Sequence, residues 1–211
     1  MIRLRCIYLP GTHGWRISLV GCALALCLLM GLSDSALAYQ LPRTASQPQS
    51  AVSVEAAFTP GQDAAGLIIA AINQARAGIL VQAYSFTHDG IARALIAAHR
   101  RGVEVRLIAD REQTALMHHD QIPRIAAAGI PVWLDGEHLS AHNKIMVIDA
   151  GTSQAAVITG SYNFTKAAQY RNAENVLIVH GDLALTEAYR ANWQRHLQHA
   201  QPFGAKFGNN R

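Results

Sequence analysis

Ile79-Leu80-Val81-Gln82-Ala83-Tyr84-Ser85-Phe86 is a β-branched and aromatic run with the length of a buried strand. Behind it, residues 89–101 place Ile91, Leu95 and Ala98 on one helical face, and Gly102 stops the helix. Val103 to Ile108 then alternates as a second strand. Strand, helix and strand in this order predict a βαβ unit, which needs a sheet with parallel neighbours and a covering helix.

The pattern extends in both directions. Upstream, Val52 to Phe58 reads as a strand closed by Pro60-Gly61, and Asp63 caps a helix over 64–77. Downstream, 112–128 is helical with a break near Pro123, which has no amide proton to donate. Short strands follow at Pro131 to Leu134, Asn143 to Ile148 and Ala155 to Thr159, the last two joined by a turn with Gly151. Ser161 to Ala168 begins a short helical piece and Asn175 to Val179 is a strand. Leu183 to Leu197 closes the fold as a helix with Leu185, Tyr189, Trp193 and Leu197 inward. The predicted fold is α/β: a mixed, mostly parallel β-sheet flanked by helices on both faces, mixed because of the hairpin at 143–159. No internal repeat of the whole unit is visible.

Four segments follow along the 211 residues. Arg3, Arg5 and Arg16 precede an apolar run from Ile17 to Leu32, and Ala36-Leu37-Ala38 follows. A positive start, an apolar run short of the roughly 20 residues of a membrane span and a small-x-small end make residues 1–38 a signal peptide, cleaved after Ala38. Residues 39–52, rich in Gln, Ser and Pro, read as a flexible linker. The folded unit is 53–200, and 201–211 is a flexible tail. All three Cys (Cys6, Cys22, Cys27) lie in the signal segment, so the mature chain has neither a disulfide framework nor a Cys-ligated metal site. A chain without Cys suits an oxidising compartment, periplasmic or extracellular. Half the residues are hydrophobic, which excludes a disordered chain. Beyond residue 38 there remain 15 Lys+Arg against 13 Asp+Glu, too even a balance to establish a nucleic-acid partner by charge alone.

Chemistry concentrates in two segments. In His142-Asn143-Lys144-Ile145-Met146-Val147-Ile148-Asp149, the period-two alternation of a strand sends His142 and Lys144 to the same side. In Gly160-Ser161-Tyr162-Asn163-Phe164-Thr165, Ser161 and Asn163 have the same relation. Together they offer one nucleophile or proton shuttle, one cation and two neutral hydrogen-bonding groups. That set suits a phosphate diester, whose oxygens need donors and positive charge while phosphorus needs a nucleophile. Glu174, at the start of the next strand, is placed to orient His142.

His142-x-Lys144-x4-Asp149 followed by Gly160-Ser161-Tyr162-Asn163-Phe164-Thr165 resembles the signature of the phospholipase D superfamily, and within it the small exported bacterial endonucleases with one motif per chain. Gln82–Thr87, Ile91–Leu95, Arg101–Arg106 and Asn172–Asn175 are similar to that family as well, so the likeness spans roughly 53–198. The one departure is a longer hairpin tip at residues 150–154. The resemblance implies His142 as nucleophile, forming a phosphohistidine, or as general acid. It implies Lys144 and Asn163 as phosphate ligands with Ser161 in support, Glu174 as the orienter of the histidine, and Asp149 as a motif residue that is structural in part. It implies no cofactor and no metal. The family mechanism needs two histidines, so one motif per chain implies a homodimer with a composite site.

The remaining histidines read as bystanders. His118-His119 diverge on a helix, and His196 and His199 are spaced to chelate but show no third ligand. His138, four residues before His142, is only a secondary candidate for the site mouth, Asp89 caps its helix, and Trp133 and Trp193 are core. The expected function is a metal-independent phosphodiesterase, foremost a nonspecific endonuclease on nucleic acid, DNA before RNA. The alternatives are a phospholipase D acting on phospholipid head groups and a non-catalytic binding module. The intact set of His, Lys, Asn and Glu disfavours the last. No membrane insertion after signal cleavage is expected, since no interfacial amphipathic helix is visible.

Overall fold

A computed structural model describes residues 51–117 and 119–204. The expected signal peptide, most of the expected linker, His118 and the end of the tail lie outside the described residues. The chain runs β1(Ser53–Thr59), α1(Ala64–Gln74), β2(Gly78–Ala83), α2(Asp89–Arg100), β3(Glu104–Asp110), α3(Arg111–Leu116), α4(Ile122–Ala127), β4(Val132–Asp135), β5(Lys144–Ile148), β6(Ala156–Gly160), α5(Lys166–Tyr170), β7(Glu174–His180), α6(Leu183–Leu197) and β8(Gln201–Pro202). One eight-stranded sheet has the order β1-β7-β6-β5-β2-β3-β4-β8.

The sheet is mixed, as the sequence predicts, but its parallel part is smaller. Among the described residues only β2–β3 and β3–β4 pair parallel, and the other five pairings are antiparallel. The reason lies in the connections. Helical crossovers return the chain in the same direction only from β2 to β3 and from β3 to β4, whereas β5, β6 and β7 follow one another as antiparallel neighbours. Gln201 and Pro202, read as tail, instead pair with β4, and the Phe203 amide donates to the Val132 carbonyl. Proline is tolerated there because β8 is an edge strand.

Helices cover both faces. Ile68, Ile72, Ile91 and Leu95 of α1 and α2 join Ile79, Val81, Val105, Leu107, Met146 and Ile158 of the sheet in one buried cluster. The alternating residues Ile145, Val147 and Val157 are buried on the opposite face. There α6 lies across β2, β4, β5 and β6. Trp193 anchors it: fully buried, it donates Nε1–H to the Val81 carbonyl at 2.9 Å and meets Trp133 edge-on.

Three local readings change. The helical stretch is split into α3, ending at Leu116, and α4, starting at Ile122, and Pro123 sits in the first turn of α4, where its missing amide costs nothing. The α2 cap is His88, whose Nδ1 accepts from the Ile91 amide. Asp89 is the first helical residue and pairs with Arg93 and Lys166. The helical piece after Gly160 starts only at Lys166, capped by Thr165.

Candidate active site

Sheet order and strand direction bring four segments to one edge. β5 starts where its antiparallel neighbours β2 and β6 end, and β7 starts beside the end of β6. The edge therefore receives Tyr84 after β2, His142 and Lys144 at the head of β5, Ser161 to Asn163 after β6, and Glu174 at the head of β7. The Tyr84 amide donates to the Asn143 carbonyl, and the Thr87 and His88 amides both donate to the Phe164 carbonyl. These bonds tie the β2 exit to both motif segments.

His142 and Lys144 project together. Lys144 Nζ lies 2.8 Å from His142 Nδ1 and donates to the His142 carbonyl at 2.6 Å. Tyr84 lies against both, its ring 4.3 Å from the imidazole centroid and its centroid 4.9 Å from Nζ. The tyrosine face favours the cation and limits ring rotation of the histidine. Lys144 is buried while His142 is exposed. Burial lowers the Lys144 ammonium to about 8, with the Glu174 charge pulling the other way. An ammonium facing Nδ1 uses that nitrogen as its acceptor, which in a neutral ring leaves the proton on Nε2.

Gly160 makes the second segment possible. Its φ is +149°, and a Cβ there would stand 2.2 Å from the Asn175 carbonyl oxygen. Only glycine allows this approach, which sets Ser161 beside β7. Ser161 donates Oγ–H to Glu174 Oε2 at 2.5 Å and accepts from the Asn175 amide at 3.1 Å. Asn172 Nδ2 donates to Glu174 Oε1 at 3.0 Å. Asn163 is half-buried, and its Oδ1 is buried with no hydrogen-bond partner among the described residues.

One expected placement changes. Glu174 does not orient His142 within its own chain, because its oxygens are taken by Ser161 and Asn172 while the imidazole meets Lys144. Asp149, expected at the far end of its strand with a role structural in part, lies there. It ends β5 at the opposite side of the sheet, five residues from Lys144 and so roughly 16 Å away. There its carboxylate accepts from the amides of Arg76, Ala77 and Gly78, between α1 and β2.

Two features went unread. Nothing in the sequence around Tyr84 marks it as a site residue, and its signal is the strand pairing that sets the end of β2 against Lys144. His196 and His199 do have further ligands: Asp135 and His138 converge with them. His138 belongs to that group. The partners are some 60 residues away in sequence, so no spacing rule brings them together.

A family model described as cardiolipin synthase, PLD-like domain, matches residues 68–197. A phospholipase D of Rickettsia felis is 40% identical over 140 residues, which cover 66% of this chain and 67% of that protein. The human mitochondrial cardiolipin hydrolase is 34% identical over 122 residues, covering 58% of this chain and 46% of that protein. Among solved structures, Nuc of Salmonella typhimurium, a phospholipase D family member, superimposes with a TM-score of 0.67 at 32% identity. The match covers 72% of this chain and 99% of Nuc. NucT from Helicobacter pylori gives a TM-score of 0.65 at 25% identity, covering 72% of this chain and all of NucT.

Proposed function

The chain belongs to the phospholipase D family, and on that premise we propose that it is a metal-independent endonuclease that cleaves nucleic-acid phosphodiester bonds. The observation that carries the reading is the pairing of exposed His142 with buried Lys144 on one sheet edge beside Ser161 and Glu174. Lys144 and Asn163 bind the non-bridging phosphate oxygens. When a phosphate draws the ammonium toward itself, Nδ1 is released and the imidazole can change tautomer. One His142 then attacks phosphorus through Nε2 and forms a phosphohistidine. A second His142, as the imidazolium, gives its Nε2 proton to the leaving oxygen and, now neutral, activates the water that frees the phosphate. The two roles need a neutral imidazole in one copy and an imidazolium in the other at once, so the reaction calls for two copies of the chain around a two-fold axis.

Nucleic acid is the preferred substrate because His142 and Ser161 are exposed. An open edge admits a phosphate in the middle of a long polymer. Among the described residues, no helix is long and apolar enough to cross a membrane. The second reading is hydrolysis of a phospholipid diester, favoured by the names phospholipase D and mitochondrial cardiolipin hydrolase borne by curated relatives. Incubation of the purified protein in EDTA with supercoiled plasmid and, separately, with phosphatidylcholine vesicles separates the two. Nicked plasmid with intact lipid is expected, and released choline with intact plasmid overturns the nuclease reading. Secretion to the periplasm or beyond, through residues 1–38, belongs to the same proposal.

A further inference from the structure

Asp135, His138, His196 and His199 each offer one ligand atom, and the four atoms all lie within 4.8 Å of one another. The hub is Asp135 Oδ2, 2.7 Å from His196 Nδ1 and 3.2 Å from His199 Nε2. Asp135 Oδ1 is fixed separately by the Glu137 amide at 3.1 Å. The His138 ring stands 5.1 Å from the His196 ring and 5.2 Å from the His199 ring, and those two are 5.3 Å apart. A carboxylate held by a backbone amide on one oxygen and open to imidazoles on the other is how a ligating aspartate is presented. Tetrahedral zinc with bonds of about 2.0–2.2 Å separates its ligand atoms by roughly 3.4 Å. The Asp135 pairs, at 2.7 and 3.2 Å, are both shorter than that value, so a small outward shift of side chains would complete the shell.

We infer that these four side chains form a structural zinc site, one ion per chain, distinct from the phosphodiester site. Three imidazole nitrogens and one carboxylate oxygen suit zinc and disfavour magnesium or calcium, which prefer all-oxygen shells. Four protein ligands leave no open position for a reacting water. The site also lies apart from the chemistry: β4 is three strands from β5 in the sheet, roughly 14 Å. Its position gives it a task. Residues 137–140 are exposed, Leu139 at 94%, so this loop has no apolar anchor of its own. Its far end is held by the Ala141 amide, which donates to Asp110 Oδ2 at 2.8 Å. Zinc on His138 would hold the near end against β4 and α6, four residues before His142.

Zinc binding to the untagged, full-length protein, stripped with EDTA and dialysed, tests this. Calorimetric titration with zinc sulfate is expected to give one ion per chain, magnesium none. Zinc should raise the melting midpoint, and cobalt(II) should give the intense visible bands of a tetrahedral site. His138→Ala, in an exposed loop and checked by circular dichroism, should weaken zinc at least ~10-fold. His138→Ala combined with His199→Ala should abolish stoichiometric uptake. His180→Ala, whose imidazole pairs with Glu55 on another strand, should bind as wild type does. No uptake by the stripped wild type, or equal uptake by His138→Ala, overturns the inference. Neither result bears on the proposed phosphodiesterase, because the readouts are metal content and melting.

Discussion

Replacing Asp149 separates scaffold from chemistry within the motif. Its carboxylate is buried and accepts from three successive amides: Oδ1 from Arg76 at 3.2 Å, Ala77 at 2.7 Å and Gly78 at 2.9 Å, and Oδ2 from Arg76 at 2.9 Å. The residue itself sits at φ +49°, a region aspartate and asparagine tolerate better than alanine. Asp149→Ala leaves three partly buried amides unpaired, at about 1 kcal/mol or more each, and adds backbone strain, for a loss of about 3–5 kcal/mol. In a domain of this size that lowers the melting midpoint by roughly 10–15 °C. Asp149→Asn keeps Oδ1 and its bonds to Ala77 and Gly78, losing the charge and one bond to Arg76, so about 1–2 kcal/mol is expected. Turnover per folded molecule should stay close to wild type in Asp149→Asn, because the site edge is at the other end of β5. Thermal melts followed by circular dichroism, with plasmid nicking measured well below the midpoint, give both numbers. An Asp149→Asn protein that melts like wild type yet loses on the order of 10²-fold in turnover would refute the scaffold argument.

His142→Ala should fold normally and lose at least ~10³-fold in rate, and near wild-type turnover would remove the nucleophile from the site. The Lys144 ammonium titrates at about 8 in the fold against 10.5 for an ordinary lysine. Activity that needs the cation should therefore fall as pH rises through about 8, and Lys144→Arg should move that limb upward. Between 8 and 10.5 the unfolded chain holds more protons, so stability should rise with pH over that window, the opposite trend to activity. Nicking in EDTA should persist at temperatures below the melting point of the stripped protein, and loss there with rescue by magnesium would contradict a reaction carried by histidine and lysine alone. Sedimentation should give twice the chain mass, and mixing His142→Ala chains with wild type under exchange should lower activity more than dilution does. A fully active monomer would exclude the composite site.

What was legible in the sequence was local. Ile79–Phe86 and Val103–Ile108 declare strands by composition, Asp63 and Gly102 mark helix ends, and α6 was read at its true bounds because its limits depend on nearby residues. His142 and Lys144 were legible as a pair because side-chain alternation is a property of one strand. The illegible parts depend on pairing across the sheet. Antiparallel ladders dominate because β5, β6 and β7 fold back on one another, and residue composition does not distinguish a strand's direction. Glu174 meets Ser161 rather than His142 because the register Gly160↔Val176 sets the end of β6 against the head of β7. Asp135 joins His196 and His199 only because α6 ends over β4, a contact 61 residues long in sequence.

Strand direction explains why both clusters share an edge. β2, β3 and β4 run parallel and end on the same side, delivering Tyr84, Asp110 and Asp135 in turn. β5 is antiparallel to β2, so its first residues, not its last, arrive there, and Lys144 stands opposite Ala83. The loop between Asp135 and Lys144 must therefore cross from the end of β4 to the head of β5, past the intervening ends of β3 and β2. It carries His138, Ala141 and His142 along that path, and Asp110 catches Ala141 midway. A substitution that frees this loop should act on His142 without touching it. Asp110→Asn, which retains one acceptor but puts an amide where the Ala141 N–H now finds a carboxylate, tests that chain of causes. It should lower the rate while leaving substrate binding near wild type, because the proposed phosphate ligands are held by β5 and by the segment after β6 rather than by this loop. A loss confined to substrate binding, with turnover intact, would show that the loop does not set the histidine.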